Sequence, residues 1–331
     1  MKASLRRLSY VALVVAVTQI VFGAIVRISG SGMGCGNHWP KCYGRWFPPL
    51  DQPSLVIEWT HRMIAAALFV ALVSLAAAAY ANRREPSVGG RGGVLRASLL
   101  ALAMWPAQAL LGAITVWLGN VWYATAAHWL LAATLLAALA AAVMRAGGLG
   151  GACARREHAT ARTARGAFAG AGIALVTICL GGMTAAYPGA NVACSAFPLC
   201  GPGIAAAVVP AGRVIQMTHR VLALLLTLHV FGLLWGVSRR REAAVVVRAM
   251  AIAAGLIVVQ IGIAASMIAL HLPPVLRSLH QSTGALIWLT LFAAAYLARM
   301  ASHAVADPAA RDVVADASAQ RTLSPAAGAA R

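Results

Sequence analysis

Two octets of this chain set a histidine in the same surroundings, EWTHRMIA at 58–65 and QMTHRVLA at 216–223. His61 and His219 lie among apolar residues, each with an arginine directly behind it, Arg62 or Arg220. A second pair follows, His128 in AAHWLLA and His280 in SLHQSTG, 67 and 61 residues after its partner. An imidazole within an apolar helix is unfavourable unless it is paired or ligates a metal, so each of the four is a candidate site residue. One such histidine alone reads equally well as a helix–helix hydrogen bond. Recurrence in matched context, twice over, favours ligation. Glu58 precedes His61 by three residues and shares its helical face. Its counterpart is Gln216, which keeps the shape and removes the base. Glu58 is the one acidic side chain among eight that stands at the lip of an apolar stretch. The plainer reading of Glu58 is a carboxylate favoured by the helix dipole.

The elements that position these residues follow from composition. With 61% hydrophobic and 11% charged residues in 331, the chain cannot solvate a globular surface. A bilayer-crossing helix needs about 17–25 apolar residues. Eight stretches qualify, near 8–26, 58–81, 97–118, 124–144, 166–186, 214–237, 249–270 and 278–298. The fold class is therefore all-α integral membrane protein with eight transmembrane helices. The net charge of +19 does not indicate nucleic acid. If the spans alternate, seven of the 27 basic residues (Arg27, Lys41, Arg45, Arg62, Arg213, Arg220, Arg277) fall on one side and the rest on the other. That asymmetry places both termini in the cytoplasm. Residues 1–7 are too few for a cleavable presequence, so a bacterial plasma membrane is expected. The Ala-rich segment from 301 has few large apolar residues and reads as a disordered cytoplasmic tail.

The repeat reaches beyond the octets. GAIVRISGSGMGCGNHWPKC at 23–42 aligns with GGMTAAYPGANVACSAFPLC at 181–200, and Gln108 in AQALLGAIT matches Gln260 in VQIGIAASM. Each unit then has four helices, with histidines on its second and fourth. Four helices return the chain to its starting side, so the units form two pseudo-symmetric four-helix bundles about an axis near the membrane normal. The expected division is 1–147, a cytoplasmic linker 148–165, 166–300, and the tail 301–331. Helices 2, 4, 6 and 8 enter from the outer side, which puts all four histidines one to two turns below the outer face. Trp39, Trp46, Trp59, Trp117, Trp122 and Trp129 crowd the same interface.

Paired histidines on facing helices suit the two axial positions of haem iron, the macrocycle filling an apolar cavity. Zinc requires three or four clustered ligands, which do not converge here. Arg62 and Arg220 read either as partners of haem propionates or as snorkelling interfacial arginines. His229, without a counterpart, reads as a packing or hydrogen-bonding residue. His271 ends a helix, His38 is in a loop, and His158 and His303 are cytoplasmic. Cys35 with Cys42 and Cys194 with Cys200 lie in outer loops, in the oxidising compartment where close thiols form disulfides. Each closure contributes about 2–3 kcal/mol; thiol exchange with a carrier is an alternative role for the first pair. Cys153 and Cys179 read as plain thiols. Gly30, Gly32, Gly34 and Gly36 fit no phosphate-binding fingerprint and are expected where chain and cofactor approach closely.

Together GAIVRISGSGMGC…WPKC, EWTHR, the AHW histidine, the second THR and LHQSTGA resemble the haem A synthase family, and the likeness runs from about 8 to 298. Trp59 departs from it, since relatives often carry another aromatic or histidine there. The second half also lacks the glycine-rich stretch. The resemblance implies a membrane oxidoreductase of cytochrome oxidase assembly. It converts the C8 methyl of haem O to the formyl of haem A by two hydroxylations, the geminal diol losing water. It also implies haem O and haem A as substrate and product in the N-terminal half, at His61 and His128. Haem B is the implied cofactor of the C-terminal half, at His219 and His280. Glu58 is the implied essential carboxylate, and Cys35–Cys42 and Cys194–Cys200 the implied disulfides. Haem O synthase is the implied source of substrate, and an electron-transfer partner is required. A bis-histidine iron has no open position, so either a ligand leaves to admit dioxygen or electrons leave through the porphyrin while Glu58 takes protons. The competing readings are a non-catalytic diheme b-type cytochrome and a haem carrier. Haem O synthase itself would need aspartate-rich motifs, and none occur.

Overall fold

The structure, a computed structural model, describes residues 2–49, 51–201 and 210–304. From residue 305 the expected tail lies outside the described residues. Among the described residues the chain is helical throughout, with no strand. Eight long helices are each long and apolar enough to cross a membrane: α1 Lys2–Ile28, α2 Pro53–Ala81, α3 Val94–Trp117, α4 Trp122–Arg145, α5 Ala161–Ala186, α6 Pro210–Arg239, α7 Ala244–Ala269 and α8 Pro274–Ala304.

Most helices run past the expected spans. α2 opens at Pro53 rather than 58, and α8 runs from Pro274 to Ala304 rather than 278–298. Hydropathy detects only the apolar middle, whereas helical hydrogen bonding continues into the polar ends. Proline was the available signal, because its missing N–H goes unused in a first turn. α5 is capped by Thr160, whose side chain accepts the Thr163 N–H. The turns before α4 and α8 match: Gly119 and Asn120 have φ of 65° and 61°, His271 and Leu272 of 58° and 65°. In each turn the second residue donates its N–H five residues back, to Thr115 O or Met267 O.

Each half packs in the same order. α1 contacts α2, α2 contacts α3, α3 contacts α4 and α4 closes on α1; α5 to α8 repeat the circuit. The halves meet through α1, α4, α5 and α8. One core crosses that seam, with Leu72, Leu136, Leu139, Val230, Met250 and Leu291 all buried within it. Alanines of α4 and α8 let the backbones approach, as small residues do between helices in lipid. Trp288 Nε1 of α8 donates to Ala133 O of α4 at 3.1 Å. The outward faces stay apolar, with Val70, Leu100, Leu228, Trp235, Ile252 and Val258 exposed. A soluble protein avoids such a surface; a bilayer accepts it.

Candidate functional site

The four histidines lie six to nine residues past the first residue of α2, α4, α6 and α8. At about 1.5 Å per residue that is roughly 9–14 Å along each helix. The loops at this end of the molecule touch one another, since Asn120 Nδ2 donates to Gly32 O at 3.3 Å. The rings fit because a neighbouring helix gives way. A Cβ added at Gly23 would stand 3.1 Å from His61 Cε1, at Gly112 3.2 Å from His128 Cε1, and at Gly181 2.9 Å from His219 Cε1. The glycine opposite three of the four imidazoles thus gives the ring room, most tightly at Gly181.

The second pair comes together directly. His219 and His280 have ring centroids 6.4 Å apart. A metal bond of about 2 Å to each imidazole, plus about 1.1 Å from nitrogen to ring centre, gives roughly 6.2 Å for two rings flanking one ion. His219 Nδ1 lies 3.0 Å from Thr177 O. That carbonyl accepts only from N–H, so Nε2 is left as the ligating atom, the orientation a metal-bound histidine needs. In the first half, His61 is within electrostatic reach of His128. Amide nitrogens of Gln19 and Gln108 lie 3.2 Å from the Nε2 atoms of His61 and His128. The Nδ1 atoms of His61, His128 and His280 are buried without a partner. At the second pair, a separation matching a shared ion, a His219 ring oriented through Nδ1 and apolar surroundings fit an iron porphyrin held between the imidazoles.

Glu58 is buried. Its Oε2 accepts the Cys35 N–H at 2.8 Å, and its Oε1 pairs with Arg62 Nη2. Cys35–Cys42 and Cys194–Cys200 are both disulfides, so the carboxylate anchors the first cystine loop directly. Gln216 is equally buried, and its Oε1 has no partner. The two arginines are loop clamps. Arg62 Nη1 donates to His38 O, Pro40 O and Lys41 O at 2.9–3.2 Å. Arg220 Nη1 donates to Ala196 O, Pro198 O and Leu199 O at 2.6–3.0 Å.

The remaining candidates have ordinary places. His229 Nε2 lies 2.8 Å from Gly166 O, the hydrogen-bonding role expected of it. His38 packs beside Tyr43, and Cys153 is exposed. Gly34 is forced by chain meeting chain: a Cβ there would fall 2.3 Å from Ser54 O at the start of α2. Gln19 and Thr177, at equivalent positions of α1 and α5, escaped the sequence reading. The signal was a polar residue four positions before the glycine that seats a histidine.

The fold and site define a polytopic membrane protein of two repeated halves, each carrying two histidines near the same end. The chain belongs to the COX15-CtaA family of cytochrome oxidase assembly proteins, which matches residues 6–292. A protein of Bacillus pumilus named haem A synthase is 30% identical over 236 residues, 70% of this chain and 74% of its own length. One of Shouchella clausii with the same name is 28% identical over 263 residues, 78% of this chain and 85% of its own length. A Thermus thermophilus protein named protohaem IX farnesyltransferase is 46% identical over 55 residues, 17% of this chain and 9% of its own length.

Proposed function

We propose that the protein is a haem A synthase of the bacterial plasma membrane, with both termini cytoplasmic and the paired histidines beneath the outer surface. The names of its relatives and the paired imidazoles support this reading, and one observation carries the mechanism. A buried carboxylate, Glu58, stands one turn from His61, while an amide, Gln216, fills that place beside His219. The N-terminal half, one of two pseudo-symmetric bundles, takes haem O between His61 and His128. In the C-terminal half His219 and His280 would hold haem B, which would supply an iron able to pass single electrons.

Conversion of the C8 methyl to the alcohol removes two electrons and two protons and adds the elements of water. Repetition gives the geminal diol, which loses water to leave the formyl group. Glu58 is the proton acceptor for this sequence, and the electrons pass to a redox partner. Arg62 and the Cys35 N–H hold the carboxylate in place, and Arg62 also fastens the loop that shields it. Arg62 and Arg220, each directly after the first histidine of its half, are the candidate partners of propionate carboxylates. Substrate arrives from haem O synthase within the bilayer. A groove of about 360 Å³ between α1 and α2, lined by Val15, Thr18, Thr60, Met63, Ile64 and Ala67, suits lateral entry.

Expression in cells that make haem O but not haem A tests the reading. Chromatography of extracted pigment should reveal haem A only in cells carrying the protein. Haem O alone would reject the activity and favour the electron-carrier alternative.

A further inference from the structure

We propose that Arg27, a residue of the first half, binds a carboxylate of the porphyrin held by the second half. The inference rests on the reading that His219 and His280 hold a haem. Arg27 ends α1, yet its guanidinium reaches across the seam. Nη1 donates to Ala185 O of α5 at 3.2 Å, and Nη2 to Gln281 Oε1 of α8 at 3.1 Å. Its carbon lies 5.3 Å from the centre of the Trp129 ring of α4. Ala185 is one turn beyond Gly181, which seats His219, and Gln281 adjoins His280. Arg27 is therefore fastened to both helices that frame the second pair.

Its charge is unbalanced. Both hydrogen-bond acceptors are neutral, and Nε is buried with no partner. The ion pairs among the described residues are Arg62–Glu58 and Arg240–Glu242, neither of which involves Arg27. Arg277, in the first turn of α8, adds a second positive charge within reach. A guanidinium held at the seam without an ion-pair partner among the described residues, with a second positive charge nearby, calls for an anion. Arg220, the other arginine near this pair, already gives Nη1 to three loop carbonyls. The ligand class is a carboxylate, which a guanidinium meets through parallel N–H donors, and a haem brings two at its rim.

The test compares haem B with its dimethyl ester, which keeps the iron and ring and lacks the charges. Apoprotein in the His61→Ala background, which leaves the second pair intact, is placed in neutral phosphatidylcholine nanodiscs and titrated with each pigment. With Arg27 present, haem B should bind about 10- to 100-fold more tightly than the ester, the range for hydrogen bonds to a charged group. In Arg27→Gln that preference should collapse while ester affinity holds, and the midpoint potential of the bound iron should fall. Arg27→Lys should keep part of the preference, and Arg277→Gln should weaken it less than Arg27→Gln does. Equal affinity for the two pigments with Arg27 present would overturn the proposal. So would an Arg27→Gln variant that weakens both alike, which marks a packing role. If neither pigment gives a bis-imidazole spectrum, the haem site itself is rejected, a failure separate from that of Arg27.

Discussion

The two halves of the molecule share a scaffold and differ in the polar groups set around their histidines. Both seat a histidine of their second helix against a glycine of their first, Gly23 or Gly181. Both fasten the preceding cystine loop with an arginine that donates to carbonyls 24, 22 and 21 residues upstream. Only the first half has a carboxylate, Glu58, tied to the loop backbone at Cys35. In the second half Gln216 leaves its amide oxygen without a partner. A duplicated framework thus retains the histidines and the arginine-clamped loop in both copies and sets a buried carboxylate in one.

Removing the ligands should give the largest effect and separates the halves cleanly. His219→Ala should abolish the low-spin haem spectrum of the purified protein. His61→Ala should leave that spectrum and abolish haem A formation, read by absorption and pigment chromatography. Similar loss of pigment in both variants would erase the distinction between resident cofactor and passing substrate.

Next in size are the loop clamps. Arg62→Gln and Arg220→Gln each remove hydrogen bonds from a charged donor, worth about 1.5–3 kcal/mol. Arg62→Gln should be the more harmful, because it also frees Glu58, and thermal unfolding in detergent measures the difference. Equal losses would mean that the Arg62–Glu58 pair adds nothing to the loop.

The smallest effect lies at the opposite end and also distinguishes the halves. Glu242, between α6 and α7, accepts from Thr163 Oγ1 at 2.7 Å, from Arg240 Nε at 2.6 Å and from Thr160 N at 3.0 Å. Burial alone would raise its pKa, but these hydrogen bonds outweigh burial and lower it from the ordinary 4.5. A carboxylate so lowered stabilises the fold fully above 4.5, and the contribution is lost as pH falls below that through the folded value. The stability gap between wild type and Glu242→Gln should therefore be constant near neutrality and shrink in acid. Glu85, after α2, is exposed and, among the described residues, accepts no such set of hydrogen bonds.

Much of this architecture was legible in the chain. Eight spans, the duplication, the histidine pairs, both disulfides and the contrast of Glu58 with Gln216 were visible because side-chain type and spacing encode them. Helix ends were less legible, since hydropathy fades where backbone hydrogen bonding continues. The arginine clamps were hidden for another reason. Their acceptors are backbone carbonyls, which leave no mark on residue identity, so Arg62 and Arg220 looked like propionate partners or interfacial charges. Gln19 and Thr177 were present as polar residues in apolar helices, yet their meaning depends on which ring faces them. Arg27 counted only towards the charge asymmetry, because its partners lie more than 100 residues away across the seam.

The division of labour is tested most directly by Glu58→Gln, which makes the first half resemble the second at the position of its carboxylate. In cells supplied with haem O, this variant should lower haem A formation by about 10²–10⁴-fold, the range for a lost general base. Haem O or its alcohol should accumulate while the purified protein keeps its haem spectrum. Undiminished haem A from Glu58→Gln would contradict the account.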